Sequence, residues 1–149
     1  MPETKILGVV LTPLREIPTP DGAVLHMLRA DDPDFTQFGE CYFSEVYPGK
    51  VKAWKMHEHQ EQNLSVPVGK IRLVMYDARP ASATYKQMEI IELGRPENYC
   101  KIRIPSGIWY GFKGISAQTA LIVNCADKAH DPTDNKKIPA EDAEINYTW

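Results

Sequence analysis

The sequence predicts an all-β protein of one domain, and three observations support this fold class. No segment carries a sustained apolar stripe at the i, i+3, i+4, i+7 spacing of an amphipathic helix. Twelve prolines and nine glycines separate short runs that are rich in β-branched and aromatic residues. Several of these runs alternate apolar and polar side chains, as strands with one buried face do. Many short strands with turns between them favour an antiparallel barrel or double sheet.

The predicted strands follow one another along most of the chain. They are residues 5–11, 24–29, 38–47, 51–59, 62–68, 70–77, 85–93, 101–104, 109–112 and 119–125. Segments rich in proline, glycine and aspartate, such as 17–22 and 31–34, are predicted turns between them. After residue 127 the chain becomes polar, and only a short turn of helix near 140–143 is expected.

The stretch 51–69 is the part that the other strands are expected to position. If 51–59 is a strand, successive side chains point to opposite faces of the sheet. Alternation then places Ala53, Lys55, His57 and His59 on one face, and Trp54, Met56 and Glu58 on the other. The first face is too polar for a packed core and favours the wall of a pocket. The alternative is an edge strand whose two histidines face solvent.

Length, charge and cysteine content exclude several classes of protein. A chain of 149 residues is expected to form one domain with a real core. Its net charge of −3 gives no general attraction to nucleic acid or to an anionic membrane. Three widely spaced cysteines without a CxxC pair indicate free thiols in a reducing compartment. No apolar run is long enough for a membrane helix and residues 1–5 lack signal-peptide character, so a cytoplasmic location is expected.

Several common catalytic and nucleotide-binding motifs are absent from the sequence, whereas two cupin-like motifs are present. The chain contains no GxGxxG, no GxxxxGK[ST] and no GxSxG, which argues against dinucleotide, P-loop and serine hydrolase sites. The HxH pattern at 57–59 and the later PxG turn at 105–107 resemble the two motifs of cupins, which are small double-sheet barrels. In metal cupins the second motif supplies a histidine at the position of Tyr110. With Glu61 as a further oxygen ligand a metal-dependent cupin stays an alternative, but no metal and no cofactor is expected.

Residues 38–149 resemble the dTDP-4-dehydrorhamnose 3,5-epimerase family more closely. The matching segments are 52–57, 68–79 (VGKIRLVMYDAR), 104–112 (IPSGIWYGF), 124–127 and the end at 145–149. This resemblance implies a metal-free, cupin-like double-stranded β-helix, or jelly roll. It also implies a nucleotide-sugar substrate and a homodimer that pairs through exposed strands. The family's catalytic base corresponds to His57.

Other functional positions of the family hold different residues in this chain. The family's arginine, lysine, histidine and tyrosine acid correspond to Trp54, Gln62, Tyr110 and Val123, respectively. In the family, an aspartate beyond the final tryptophan braces the base, and the resemblance implies no counterpart of that segment within residues 1–149.

The chemistry of epimerisation assigns candidate roles to the remaining polar residues. Inverting a carbon next to a ketone needs a general base, which His57 supplies, and a donor or cation for the enolate oxygen. Tyr110 is the candidate acid, since its motif is expected to face the pocket. The candidate substrate-binding residues are Lys55, His59, Gln62, Arg72, Arg103, Asn124 and Trp54, the last as a stacking surface for a base. Each of these has a structural alternative, as a solvated strand residue or a core residue.

The sequence therefore predicts an epimerase or isomerase that acts on a 4-keto-6-deoxy sugar nucleotide in cell-surface polysaccharide or deoxysugar biosynthesis. No nucleic acid and no membrane is expected as a partner. One alternative is a cupin that binds a sugar nucleotide or saccharide without turning it over. The second alternative is a metal-dependent cupin enzyme.

Overall fold

The computed structural model describes residues 3–149, so Met1 and Pro2, which belong to the segment tested for signal-peptide character, lie outside the described residues. It contains twelve strands: β1 (Val10–Pro13), β2 (Glu16–Ile17), β3 (Val24–Leu25), β4 (Glu40–Val46), β5 (Val51–His57), β6 (Gln62–Val68), β7 (Lys70–Asp77), β8 (Met88–Gly94), β9 (Cys100–Ile104), β10 (Ile108–Gly114), β11 (Ala120–Ala126) and β12 (Asn135–Lys137). One 3₁₀ turn, Pro132–Asp134, lies between β11 and β12.

Ten of the strands form two five-stranded antiparallel sheets. Sheet I has the order β1-β9-β6-β11-β4, and Sheet II has the order β12-β5-β10-β7-β8. The short β2 and β3 form a separate hairpin. Neighbours in each sheet are mostly distant in sequence, as in a jelly roll whose chain crosses repeatedly between two sheets. The predicted all-β, cupin-like fold is confirmed.

The main core lies between the two sheets. Its fully buried members include Leu64, Ile102 and Ile122 from Sheet I and Leu73 and Ile108 from Sheet II. Burying a side chain of this size contributes about 1.5–3 kcal/mol. This apolar layer fixes the spacing of the sheets.

A second apolar cluster lies on the outer face of Sheet II and is covered by the C-terminal segment. Trp54, Val74, Tyr76, Trp109 and Ile145 form its buried centre. The backbone of Trp54 exchanges hydrogen bonds with Ile138 at 3.0 and 3.3 Å, and its indole N–H donates to the carbonyl of Ala140 at 3.2 Å. The middle of β5 is therefore held from both sides.

Several predicted boundaries differ from the observed ones. The first strand begins at Val10 rather than residue 5, because the backbone amides of Lys5 and Ile6 donate to the buried Glu89 carboxylate instead of a strand. The predicted strand 24–29 is only Val24–Leu25. The expected helical turn at 140–143 is a series of non-helical turns. Within residues 3–149, no helix has the length and apolar character needed to cross a membrane.

Candidate active site

A cavity of about 370 Å³ opens between the two sheets at the end formed by β4, β5, β10 and β11. It is lined by Tyr42, Ser44, Lys52, Ala53, Trp54, Lys55, Leu64, Tyr110, Phe112, Ile122, Asn124 and Lys137. The apolar part of this lining is continuous with the main core. The polar part combines two phenols, a serine hydroxyl, three ammonium groups and an amide, and none of these twelve residues carries a carboxylate.

A bulge in β5 decides which of its side chains reach the cavity. Lys55 pairs with Tyr110 and Lys52 pairs with Phe112, so two residues of β5 stand opposite Gly111. The approach is close, since a Cβ atom on Gly111 would lie 2.5 Å from that of Ala53. The bulge shifts the alternation, so that Lys52 also lines the cavity, and Ala53 both contributes to the cavity wall and packs against the outer cluster. Ala53 and Lys55 both contribute to the cavity wall, as alternation predicted, and the bulge adds Lys52 to it.

His57, the last residue of β5, lies between a phenol and a carboxylate. Its Nε2 atom is 3.2 Å from the hydroxyl of Tyr110, and its Nδ1 atom is 3.7 Å from Oδ2 of Asp134. All three residues are buried. Tyr110 lines the cavity, whereas His57 lies behind it and is not part of the lining. The three side chains form a row that runs from the cavity wall into the protein.

The surroundings of this row shift the pKa of two of its members. Burial, reinforced by the nearby charge of Lys55, lowers the pKa of His57 to about 4, although Asp134 acts in the opposite direction. Burial raises the pKa of Tyr110 far above its usual range. At neutral pH the imidazole is therefore neutral and able to accept a proton, and the phenol is protonated.

Asp134 is a site residue that the sequence reasoning missed. Its carboxylate accepts hydrogen bonds from the backbone amides of His59 and Gln60, at 2.7 and 3.1 Å. The 3₁₀ turn that carries it continues into β12, where Asn135 pairs with His57. The Asp131-Pro132 turn is visible in the sequence, but its contact with β5 depends on the β12–β5 pairing, which no local pattern indicates.

Three of the predicted substrate-binding residues are placed at or behind the cavity wall. Lys55 and Asn124 line the cavity. Gln62 is fully buried behind Asn124, whose side-chain amide donates to Gln62 Oε1 at 2.6 Å. Burial and the nearby charge of Lys137 lower the pKa of Lys55.

Three other predicted substrate-binding residues, His59, Arg72 and Arg103, are not among the residues that line the cavity. β5 ends at His57, so His59 lies in an exposed loop and not on the strand. Arg72 pairs with Glu92 of β8 at 3.2 Å, and Arg103 pairs with Glu61 at 2.6 Å.

Trp54 contributes to the cavity wall, but its side chain is only 1% exposed and belongs to the outer cluster. The ring packs against Trp149 and Tyr147, with centroid distances of 5.1 and 6.3 Å. The prediction of a base-stacking Trp54 is therefore wrong, because the bulge and the C-terminal segment turn the ring into the outer cluster.

The position assigned to the family's tyrosine acid also faces away from the cavity. Val123 pairs with Phe43, whose side chain is 68% exposed, and the flanking residues Ile122 and Asn124 line the cavity. Alternation along β11 therefore directs Val123 outward. The sequence reasoning also missed Tyr42, whose role becomes visible only through its pairing with Asn124 in Sheet I.

The HxH pattern does not assemble a ligand set. His57 is buried next to Tyr110, whereas His59 lies in an exposed loop. Within residues 3–149, no three His, Cys, Asp or Glu side chains are grouped as metal ligands.

Comparisons with known proteins agree on one family. The family model described as dTDP-4-dehydrorhamnose 3,5-epimerase matches residues 27–149. The probable low-salt glycan biosynthesis epimerase Agl13 of Haloferax volcanii is 33% identical over 132 residues, which cover 86% of this chain and 84% of that protein. The spore coat polysaccharide biosynthesis protein SpsL of Bacillus subtilis is 28% identical over 144 residues, 95% of each chain. The crystal structure of a dTDP sugar isomerase from Desulfovibrio desulfuricans G20 is 46% identical, with a TM-score of 0.95 and coverage of 97% of this chain and 92% of that one.

Proposed function

The chain belongs to the dTDP-4-dehydrorhamnose 3,5-epimerase family, and from this premise we propose that it inverts a carbon next to the ketone of a 4-keto-6-deoxy sugar nucleotide. The names of its relatives support a role in polysaccharide or glycan biosynthesis. The observation that carries the proposal is the row of Tyr110, His57 and Asp134 that ends at the cavity.

The row is suited to proton abstraction. The ketone acidifies the neighbouring C–H bond, and the hydroxyl oxygen of Tyr110 is the atom of the row that a substrate in the cavity meets. As this oxygen accepts the carbon-bound proton, its own proton moves to Nε2 of His57, 3.2 Å away. The electron pair of the C–H bond passes into the enolate, and Asp134 stabilises the imidazolium that forms. A positioned base of this kind contributes about 10²–10⁴ in rate.

The lysines of the cavity supply the positive charge that the reaction needs. Lys55 is the half-buried one, opposite Tyr110 across the β5–β10 pair, and we assign it to the enolate oxygen. A cation held in a partly desolvated site stabilises developing negative charge more strongly than water does. Lys52 and Lys137 are more exposed and are assigned to the diphosphate of the nucleotide.

A homodimer and a cytoplasmic location belong to the same proposal. β4 is an edge strand of Sheet I, and it exposes Phe43. A second copy that covers this edge would relieve the liability of an unpaired apolar strand. The cysteines Cys41, Cys100 and Cys125 are free thiols, which is the usual state in a reducing compartment.

Hydrogen exchange tests the activity directly. The protein is incubated in deuterium oxide with a dTDP-4-keto-6-deoxy sugar, and mass spectrometry and NMR follow deuterium at C3 and C5. We expect deuterium incorporation together with an inverted product. A dTDP sugar that lacks the 4-ketone is the control and is expected to incorporate none. Tight binding of the keto sugar without any exchange would overturn the proposal in favour of a non-catalytic binding protein.

A further inference from the structure

The wall of the cavity that faces Tyr110 carries a chain of side-chain amides. Its inner end is Gln60, whose Nε2 donates to the backbone carbonyls of Lys128 and Ala129, at 2.7 and 3.2 Å. Gln62 Nε2 donates to Gln60 Oε1 at 2.8 Å. The next link, from Asn124 Nδ2 to Gln62 Oε1, is 2.6 Å long.

The last link of this chain is a phenol. Asn124 Nδ2 donates to the hydroxyl oxygen of Tyr42 at 2.7 Å. The side chains of Tyr42 and Asn124 both line the cavity, on the paired strands β4 and β11 of Sheet I.

The chain has a fixed direction because backbone carbonyls only accept hydrogen bonds. The two carbonyls require an NH₂ group on Gln60, which leaves its Oε1 as the acceptor for Gln62. Gln62 must then present its own oxygen to Asn124, and Asn124 must present its NH₂ group to both of its partners. The oxygen of Tyr42 is therefore an acceptor in this network, and its own O–H is left to donate elsewhere. Because Tyr42 lines the cavity, its O–H group can donate a hydrogen bond into the cavity.

The protonation state of Tyr42 agrees with a donor role. Burial and the nearby charge of Glu40 raise its pKa, and the hydrogen bond from Asn124 opposes them only in part. The phenol is therefore protonated at neutral pH. If it gave up its proton, the Asn124 amide would already be in place to stabilise the phenolate.

Inversion at carbon needs two proton-transfer groups on opposite sides of the reacting atom. Tyr110 is on Sheet II and Tyr42 is on Sheet I, and the cavity lies between the two sheets. We propose that Tyr42 is the second catalytic residue, which returns a proton to the face of the carbon opposite to Tyr110 and His57. This assignment rests on the proposed epimerase function.

Proton return by Tyr42 needs no reagent other than water. The enolate carbon takes the proton of the Tyr42 hydroxyl and the ketone is restored, while the O–H electron pair stays on the phenolate oxygen. Solvent water then reprotonates Tyr42, and the proton held by His57 returns to solvent through Tyr110. Each turnover therefore replaces the abstracted hydrogen with one from solvent.

Separating exchange from inversion tests the assignment. In deuterium oxide, the Tyr42→Phe variant is expected to keep deuterium incorporation within about threefold of the wild type, because Tyr110 and His57 still open and close the C–H bond. Its rate of inversion is expected to fall by about 10²-fold or more. The control is Tyr47→Phe, which alters an exposed phenol next to β4 outside this cavity and is expected to change neither rate.

A second variant tests the direction of the amide chain. In Asn124→Asp the partner of Tyr42 becomes an acceptor, so the phenol is expected to donate to the new carboxylate instead of the cavity. Inversion is expected to fall while exchange persists, although the phenol is still present. Thermal unfolding of both variants confirms that they are folded.

The outcomes separate the two proposals. If Tyr42→Phe lowers exchange and inversion by the same factor, or lowers neither, the assignment of Tyr42 is overturned and the epimerase function stands. If the wild-type protein binds the keto sugar but catalyses no exchange, both proposals are overturned.

Discussion

The two walls of the cavity are both polar, but they are built for different tasks. The Sheet II wall is a row of groups that can each gain or lose a proton, Tyr110, His57 and Asp134. Behind Tyr42, the Sheet I wall is a row of amides, which do not ionise and only pass on a hydrogen-bond direction.

This difference shows how one cavity can hold two phenols in different roles. On the Sheet II side, the hydroxyl of Tyr110 contacts a neutral imidazole that can accept its proton, so this phenol can both lose and regain one. On the Sheet I side, the Tyr42 oxygen accepts a hydrogen bond from Asn124. The O–H group of this phenol is therefore left to donate toward a substrate in the cavity. Two variants and one change of pH that affect the Sheet II wall alone test this difference between the walls.

The largest effect is expected from His57→Asn, which removes the proton acceptor behind Tyr110. Asparagine keeps a polar group at this position but has no basic nitrogen. Both exchange and inversion are expected to fall by about 10²–10⁴-fold, in contrast to the selective loss in Tyr42→Phe. Steady-state rates by NMR measure both quantities.

The matched control for this variant is His59→Asn, which alters the exposed second histidine of the HxH pattern. It is expected to leave both rates unchanged. A His57→Asn protein that retains wild-type exchange would remove His57 from the mechanism.

The next largest effect concerns stability at acidic pH. Burial lowers the pKa of His57 to about 4 in the folded protein, and the same group in the unfolded chain has a pKa near 6.5. Between these values the unfolded state binds a proton that the folded state does not, so the free energy of unfolding decreases as the pH falls. Across this window His57 is expected to cost the folded state on the order of 3 kcal/mol.

Urea unfolding of the wild type and of His57→Asn between pH 8 and pH 4 isolates this contribution. The variant lacks the titrating group, so its stability is expected to decrease less over the window from 6.5 to 4. Parallel pH curves for the two proteins would contradict a buried, neutral His57.

The sequence predicted the parts of the molecule that follow from local patterns. Alternating runs gave most of the long strands, including β6 and β7 with their observed bounds. The all-β fold follows from proline and glycine punctuation together with the lack of helical periodicity. The order and spacing of segments 52–57, 68–79 and 104–112 were enough to indicate the family, and two of them, 52–57 and 104–112, contribute residues that line the cavity.

The site was less predictable because its residues meet through pairings that no local pattern encodes. Alternation from Lys55 did not predict that Lys52 also reaches the cavity, because the bulge opposite Gly111 changes the direction of the side chains before Lys55. Asp134 and Tyr42 were missed for a related reason. Each reaches the site only because its strand or turn pairs with a distant one, β12 with β5 and β4 with β11.

The smallest of the three effects is expected from Asp134→Asn, which tests whether this carboxylate positions and stabilises His57. The negative charge of Asp134 raises the pKa of His57, so its removal is expected to lower that pKa further. The acidic limb of the pH–rate profile should therefore move to lower pH, while the maximal rate falls by about tenfold because the imidazolium loses about 1.4 kcal/mol of stabilisation. Asp131→Asn is the matched control, since it alters the exposed N-cap of the same turn and asparagine can still cap it. If Asp134 is only structural, Asp134→Asn is expected to lower stability without moving the acidic limb of the pH–rate profile. That result would leave Tyr110 and His57 as the only members of the row that take part in the reaction.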